Sequence, residues 1–220
     1  MELRADGIIF DFNGTLFWDE DENREAWDKA AVMIRGKALS DTEFSSLNGR
    51  TDEETVLYFL PDADMRTIDY WSTEKEKIYK EICLRGNPDL SPGSREFLRR
   101  LKEMGVPMAI ASSAPKVNMD WYIPYFNLTE FFPLERIIAG RRDIPSKPDG
   151  TIFRLAAESL GLSSSRTLIF EDSESGVKAA LDAGCMKVIR IRGPKGKDLS
   201  IGGIEEIASF SELLDAGIQG

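Results

Sequence analysis

The 220-residue chain contains no histidine, which excludes imidazole acid–base chemistry and any His-based metal site. It has only two cysteines, Cys83 and Cys185, far apart in sequence. That is too few for a disulfide framework or a zinc cluster, and both read as free buried thiols. Positive charge is also short: 28 Lys and Arg face 38 Asp and Glu, a net charge of −10. Such a balance argues against nucleic acid or an anionic membrane as the main partner and leaves anionic ligands dependent on local cations. No apolar stretch approaches the length of a membrane span. The first residues carry Glu2, Arg4 and Asp6 before a short apolar run and do not read as a secretory leader, so the cytoplasm is the expected location. There is no internal repeat and no low-complexity tract.

The chain does have apolar runs that each end in polar residues. Gly7-Ile8-Ile9-Phe10 reads as a buried strand followed by Asp11-Phe12-Asn13-Gly14-Thr15. Asp11 then falls at a strand's carboxyl end, where open α/β sheets bind ligands, and Gly14 permits a tight turn. A carboxylate held there can attack phosphorus if a cation and hydrogen-bond donors neutralise the phosphoryl oxygens. The run ending at Ala111 leads into Ser112-Ser113-Ala114, candidates to hold a phosphoryl oxygen. Ser146-Lys147-Pro148 offers a point charge suited to phosphate and carboxylate. Thr167-Leu168-Ile169-Phe170 stops at Glu171-Asp172, hard oxygen ligands of the kind Mg²⁺ selects. Each signal alone fits turn chemistry or a solvated helix start. Four in this order, each beside an apolar run, point to one site.

This set resembles the haloacid dehalogenase superfamily, in its branch of β-phosphoglucomutase-like enzymes and related phosphatases, and the resemblance spans nearly the whole chain. It implies a Mg²⁺-dependent hydrolase acting on a small phosphomonoester, such as a sugar phosphate, through an aspartyl-phosphate on Asp11. By the same resemblance Asp11, Asn13, Ser112 and Lys147 form the catalytic set. Asp11, Asn13 through its backbone carbonyl, and Asp172 ligate the metal, with Glu171 acting mainly from behind them. Ser113, with Gly49 and Arg50 of a cap loop, would contact substrate.

Asn13 departs from the family pattern. The family's phosphatases and mutases carry an aspartate there that protonates the leaving oxygen and then activates water. An amide cannot exchange that proton, and general acid–base catalysis is worth roughly 10²–10⁴-fold. Two other readings therefore stay open: a catalytically impaired protein that binds phosphate and metal in a regulatory role, and a β-phosphoglucomutase-like phosphotransferase. The second lacks the mutases' hinge histidine, near whose place stands Asn23, and has Asp52 where a basic residue would hold a second phosphate. The acidic run Asp19-Glu20-Asp21-Glu22 supplies candidates for a replacement proton donor.

The expected fold is an α/β Rossmann-like parallel sheet, residues 1–17 and 88–220, with an inserted all-helical cap over 18–87. Phe44, Tyr58, Phe59, Tyr70 and Trp71 read as cap core. Ser94–Met104, Thr151–Leu160 and Gly176–Ala183 read as helices, alternating with strands at Val106–Ala111, Arg136–Ala139, Thr167–Phe170 and Lys187–Ile191. A monomer or weak dimer with a small phosphorylated metabolite as its only partner completes the expectation.

Overall fold

Apolar runs and amphipathic segments alternate along the chain and fold as strands and helices in that order. The computed structural model describes residues 2–47, 50–196 and 198–219. Strands β1 (Glu2–Arg4) and β2 (Gly7–Phe10) precede helices α1 (Glu20–Arg35), α2 (Asp41–Leu47), α3 (Asp52–Phe59) and α4 (Met65–Arg85). There follow α5 (Ser94–Glu103), β3 (Met108–Pro115), α6 (Lys116–Tyr125), β4 (Ile137–Gly140) and α7 (Thr151–Ser159). The chain ends with β5 (Thr167–Glu171), α8 (Glu174–Asp182), β6 (Lys187–Ile191), β7 (Glu205–Ile207) and β8 (Gly217–Gln219). Two units contain these elements: Met1–Trp18 with Asp89–Gly220, and Asp19–Pro88.

In the first unit six strands form a parallel sheet in the order β4-β3-β2-β5-β6-β7, while β1 pairs with β8 separately. From β2 the chain builds outward through β3 and β4, then returns to β5 on the other side. The strand order thus reverses at β2, and the crevice beyond its carboxyl end is where such sheets bind ligands. Phe10 is level with Ile110 of β3 and Phe170 of β5, so the residues following those three positions emerge on the same edge.

Strand periodicity sorts the core into two faces. Ile9, Ala109, Ala111, Ile169 and Val188 pack with Ile152, Phe153 and Ala156 of α7 and Val177 and Ala180 of α8. Phe10 and Phe170 belong to the other set: stacked at 5.3 Å, they meet Phe97 of α5, Phe132 and Phe210 at centroid distances of 5.1–6.4 Å. Each buried ring removes on the order of 150–250 Å² from water, several kcal/mol of stabilisation.

The second unit is all helical. Thr51 caps α3 in a reciprocal box with Glu54, and Asp64 caps α4 by accepting from the Thr67 N–H at 2.8 Å. Its interior gathers Trp27, Ala30 and Ala31 of α1 with Phe44, Leu47, Val56 and Ile68. Phe59 and Trp71 pack against this cluster, but Tyr58 and Tyr70 do not, being 44% and 54% exposed. The inward positions of α4 are Ile68, Lys75, Tyr79 and Ile82, a helical spacing that leaves Tyr70 outside.

Other expectations shift as well. β3 continues through Ser112 to Pro115 instead of stopping at Ala111, and α6 and β7 were not anticipated. Both cysteines are free, yet Cys185 is only half-buried. No helix among the described residues is long and apolar enough to cross a membrane.

Candidate active site

The turn after β2 is fixed by backbone bonds. The Asp11 N–H donates to Phe170 O at 2.9 Å, Gly14 N–H to Phe17 O at 2.7 Å, and Phe17 N–H to Phe12 O at 2.9 Å. Gly14 has φ +81°, and a Cβ there would lie 2.3 Å from Asp172 Oδ2. A glycine is thus required both by the left-handed backbone and by the approach of the Asp172 carboxylate. Thr15 Oγ1 donates to Asp172 Oδ1 at 3.4 Å.

Asp11, Glu171 and Asp172 each present an oxygen within 4.8 Å of the other two. Lys147 joins them: its Nζ donates to Asp11 Oδ1 at 2.6 Å and to Glu171 Oε1 at 2.7 Å, with all three side chains at most 7% exposed. The same ammonium lies 4.8 Å from the centroid of the Phe153 ring. Burial pushes the Asp11 carboxyl up to about 7, opposed by the Lys147 charge and assisted by that of Glu171. Burial alone would lower the Lys147 pKa, but the Asp11 and Glu171 charges outweigh it and hold the amine protonated.

Glu171 is fixed from behind. Its Oε2 accepts from the Ser173 N–H at 2.7 Å and Ser173 Oγ at 3.1 Å, and a Cβ on Gly176 would sit 1.7 Å from Oε1. The Asp172 backbone is anchored by buried Arg190, whose Nε donates to Asp172 O at 2.8 Å while Nη1 pairs with Glu206 of β7 at 2.9 Å.

These residues suit a hard divalent cation. Three carboxylates against one ammonium leave two negative charges uncompensated, and Asp11 Oδ2 is buried with no hydrogen-bond partner. An all-oxygen donor set of this charge is the type Mg²⁺ takes. Asp11, Glu171 and Asp172 are the carboxylates that could hold it.

The remaining sequence candidates are placed as follows. Ser112 is buried and its Oγ accepts from the Ala114 N–H at 3.1 Å. It lies where the β3–β4 register shifts, between Ala111 and Pro115, so it sits in an irregular strand segment instead of a following turn. Gly140 makes room for that segment, since a Cβ there would be 2.3 Å from Ser113 O. Ser113 itself is exposed. Asn13 donates through Nδ2 to Tyr122 Oη at 2.9 Å. Arg50 belongs to the helical unit, exposed, with Nε donating to Ser46 O at 3.1 Å. Gly49 lies outside the described residues. Asp19, in the helical unit, is buried and accepts from Tyr79 Oη at 2.5 Å, while Glu20, Asp21 and Glu22 form the acidic first turn of α1.

Sequence reasoning missed Tyr122 and Arg190. Tyr122 stands 109 residues from Asn13 and gives no local signal. Arg190 does give one: it is the charge within the otherwise buried run Val188-Ile189-Arg190-Ile191.

The chain is similar to known proteins. Protein CbbY of Rhodobacter capsulatus is 29% identical over 197 residues, covering 86% of each chain. Phosphorylated carbohydrates phosphatase of Thermotoga maritima is 26% identical over 188 residues, covering 83% of each. A solved HAD hydrolase, family IA, variant 3, from Entamoeba histolytica is 31% identical, with a TM-score of 0.86 over 94% of both chains. The family model described as haloacid dehalogenase-like hydrolase matches residues 8–191, and the chain belongs to that family.

Proposed function

We propose that the protein is a Mg²⁺-dependent phosphatase that hydrolyses a small phosphomonoester, such as a sugar phosphate, by way of an aspartyl-phosphate on Asp11. The observation that carries this reading is the Asp11 carboxylate itself: Oδ1 is held by Lys147 at 2.6 Å, and Oδ2 is buried without a hydrogen-bond partner. One oxygen is oriented and the other is left for electrophile or cation. Asp11 attacks phosphorus as the bond to the leaving oxygen breaks, an alkoxide taking its proton from solvent; water then attacks the phosphoryl group, its proton leaves with the released phosphate, and the carboxylate is returned. Lys147 orients the nucleophile and offsets charge on the phosphoryl oxygens, and Ser112 supplies a hydroxyl at the same sheet edge. A bound divalent cation would supply charge neutralisation at the phosphoryl group. The sugar-phosphate class is supported by the relative named as a phosphorylated carbohydrates phosphatase. In the sheet unit the exposed Ser113 is the proposed substrate contact. Two free thiols accord with a reducing compartment, the cytoplasm, and a monomer or weak dimer suffices for this chemistry.

A second reading, a binding or regulatory protein that turns over poorly, draws on one observation: residue 13 is an amide engaged with Tyr122. A panel of small phosphoesters assayed with Mg²⁺ separates the two. Phosphate release that stops on chelation and in Asp11→Asn supports the enzyme. Binding of inorganic phosphate and Mg²⁺ without turnover of any panel member supports the alternative, and full turnover in chelator contradicts the metal-assisted reading.

A further inference from the structure

The hydrogen bond between Asn13 and Tyr122 bears on which phosphates the site can cleave, and the argument rests on the phosphatase reading above. Asn13 Nδ2 donates to Tyr122 Oη at 2.9 Å. Tyr122 is fully buried in α6, with its ring 4.7 Å from Phe12, 5.9 Å from Phe17 and 6.1 Å from Phe126. The phenol is therefore packed among aromatic rings, Trp121 at 4.3 Å included, and holds the side chain two residues beyond the nucleophile. What it holds is an amide, which neither releases nor captures a proton near neutral pH. The chain has no histidine, and Lys147 is paired to both Asp11 and Glu171.

We propose that this site discriminates among phosphates by leaving group: those that depart as a stable anion, in acyl, anhydride, enol or aryl linkage, are cleaved faster than esters of simple alcohols, alkyl sugar phosphates included. The step balances without an enzymatic acid. An Asp11 oxygen forms the new bond to phosphorus, the bond to the leaving oxygen breaks, and its electron pair stays on a carboxylate, phosphate or phenolate that needs no proton. In the second step water adds to phosphorus, the bond to Asp11 breaks to regenerate the carboxylate, and the proton of water leaves with the released phosphate. An alkoxide, by contrast, requires a proton as it departs, and position 13 has none to give. A general acid is worth roughly 10²–10⁴-fold, so the discrimination between the two substrate classes is expected to be of that size.

The test is a series of monophosphates graded in leaving-group acidity: acetyl, p-nitrophenyl, phenyl and cyclohexyl phosphate, each with Mg²⁺. For the wild-type chain kcat/KM should fall steeply along that order, by about 10²-fold or more between the first two and cyclohexyl phosphate. Asn13→Asp should flatten the series by raising cyclohexyl phosphate at least about 10²-fold relative to acetyl phosphate. Tyr122→Phe, which removes only the phenol oxygen, should leave the wild-type slope as steep as before. Equal wild-type rates for phenyl and cyclohexyl phosphate overturn the proposal. So does a Tyr122→Phe variant that loses only the poor leaving groups, because Tyr122 would then be the proton donor. If no member of the series is turned over or labels Asp11, the phosphatase reading itself fails and takes this inference with it.

Discussion

At Gly14 the positive φ of +81° and the space occupied by Asp172 coincide, so two different penalties can be separated by a control glycine. Gly36, the residue after α1, has nearly the same backbone angle, φ +77°, but a Cβ there would meet nothing within 4 Å. Alanine at either position forces an L-residue into the left-handed region, about 1–2 kcal/mol. Only at Gly14 does the new methyl group also displace a carboxylate of the acidic cluster proposed to bind Mg²⁺. Gly14→Ala should therefore weaken Mg²⁺ binding at least tenfold, read by calorimetric titration, whereas Gly36→Ala should lower the melting temperature without changing Mg²⁺ affinity. Equal Mg²⁺ affinity in the two variants would contradict the part assigned to the Gly14–Asp172 contact.

Between elements of the helical unit, α3 and α4 are tied by a charge cluster within an apolar interior. Lys75 Nζ lies 2.8 Å from Glu76 Oε1 and 3.4 Å from Asp52 Oδ1, and its ammonium is 5.0 Å from the centroid of Trp27. Two carboxylates share one ammonium, and burial pushes the Asp52 carboxyl up to about 8, with Lys75 opposing and Glu76 reinforcing. A carboxyl whose pKa is raised on folding holds more protons in the folded state than in the unfolded chain. Its contribution to stability is present below the ordinary value of 3.8 and is lost as pH rises through about 8. Asp52→Asn removes that titration. Melting followed by circular dichroism from pH 5 to 9 should show wild type losing a few degrees more than the variant. Parallel pH profiles would show that Asp52 titrates in the folded chain as it does in the unfolded one. The cluster was not legible beforehand, because Asp52 and Lys75 are separated by 23 residues.

Across the whole molecule, legibility followed how local each signal is. Asp11, Lys147, Glu171 and Asp172 could be singled out because each stands beside an apolar run, and the parallel sheet turns that one-dimensional pattern into contacts of 2.6 and 2.7 Å. The α/β alternation and the helical insertion were legible for the same reason, since periodicity is a property of short windows. The course of β3 was not, because its irregular passage through Ser112 depends on Gly140 in a neighbouring strand. Tyr122 escaped notice because the helix carrying it, Lys116–Tyr125, has a poorly separated apolar face and contains Pro124. The net charge of −10 adds a molecular consequence: the proposed anionic substrate would meet an unfavourable overall field and would depend on local cations such as Lys147 for attraction. The central claim is a covalent phosphoryl group on Asp11, and one measurement addresses it. The protein is mixed with acetyl phosphate and Mg²⁺, reduced with borohydride, digested and read by mass spectrometry. The account predicts reductive label on the peptide containing Asp11, absent in chelator and in Asp11→Asn. Measurable turnover with no label there, or with label on another residue, would contradict it.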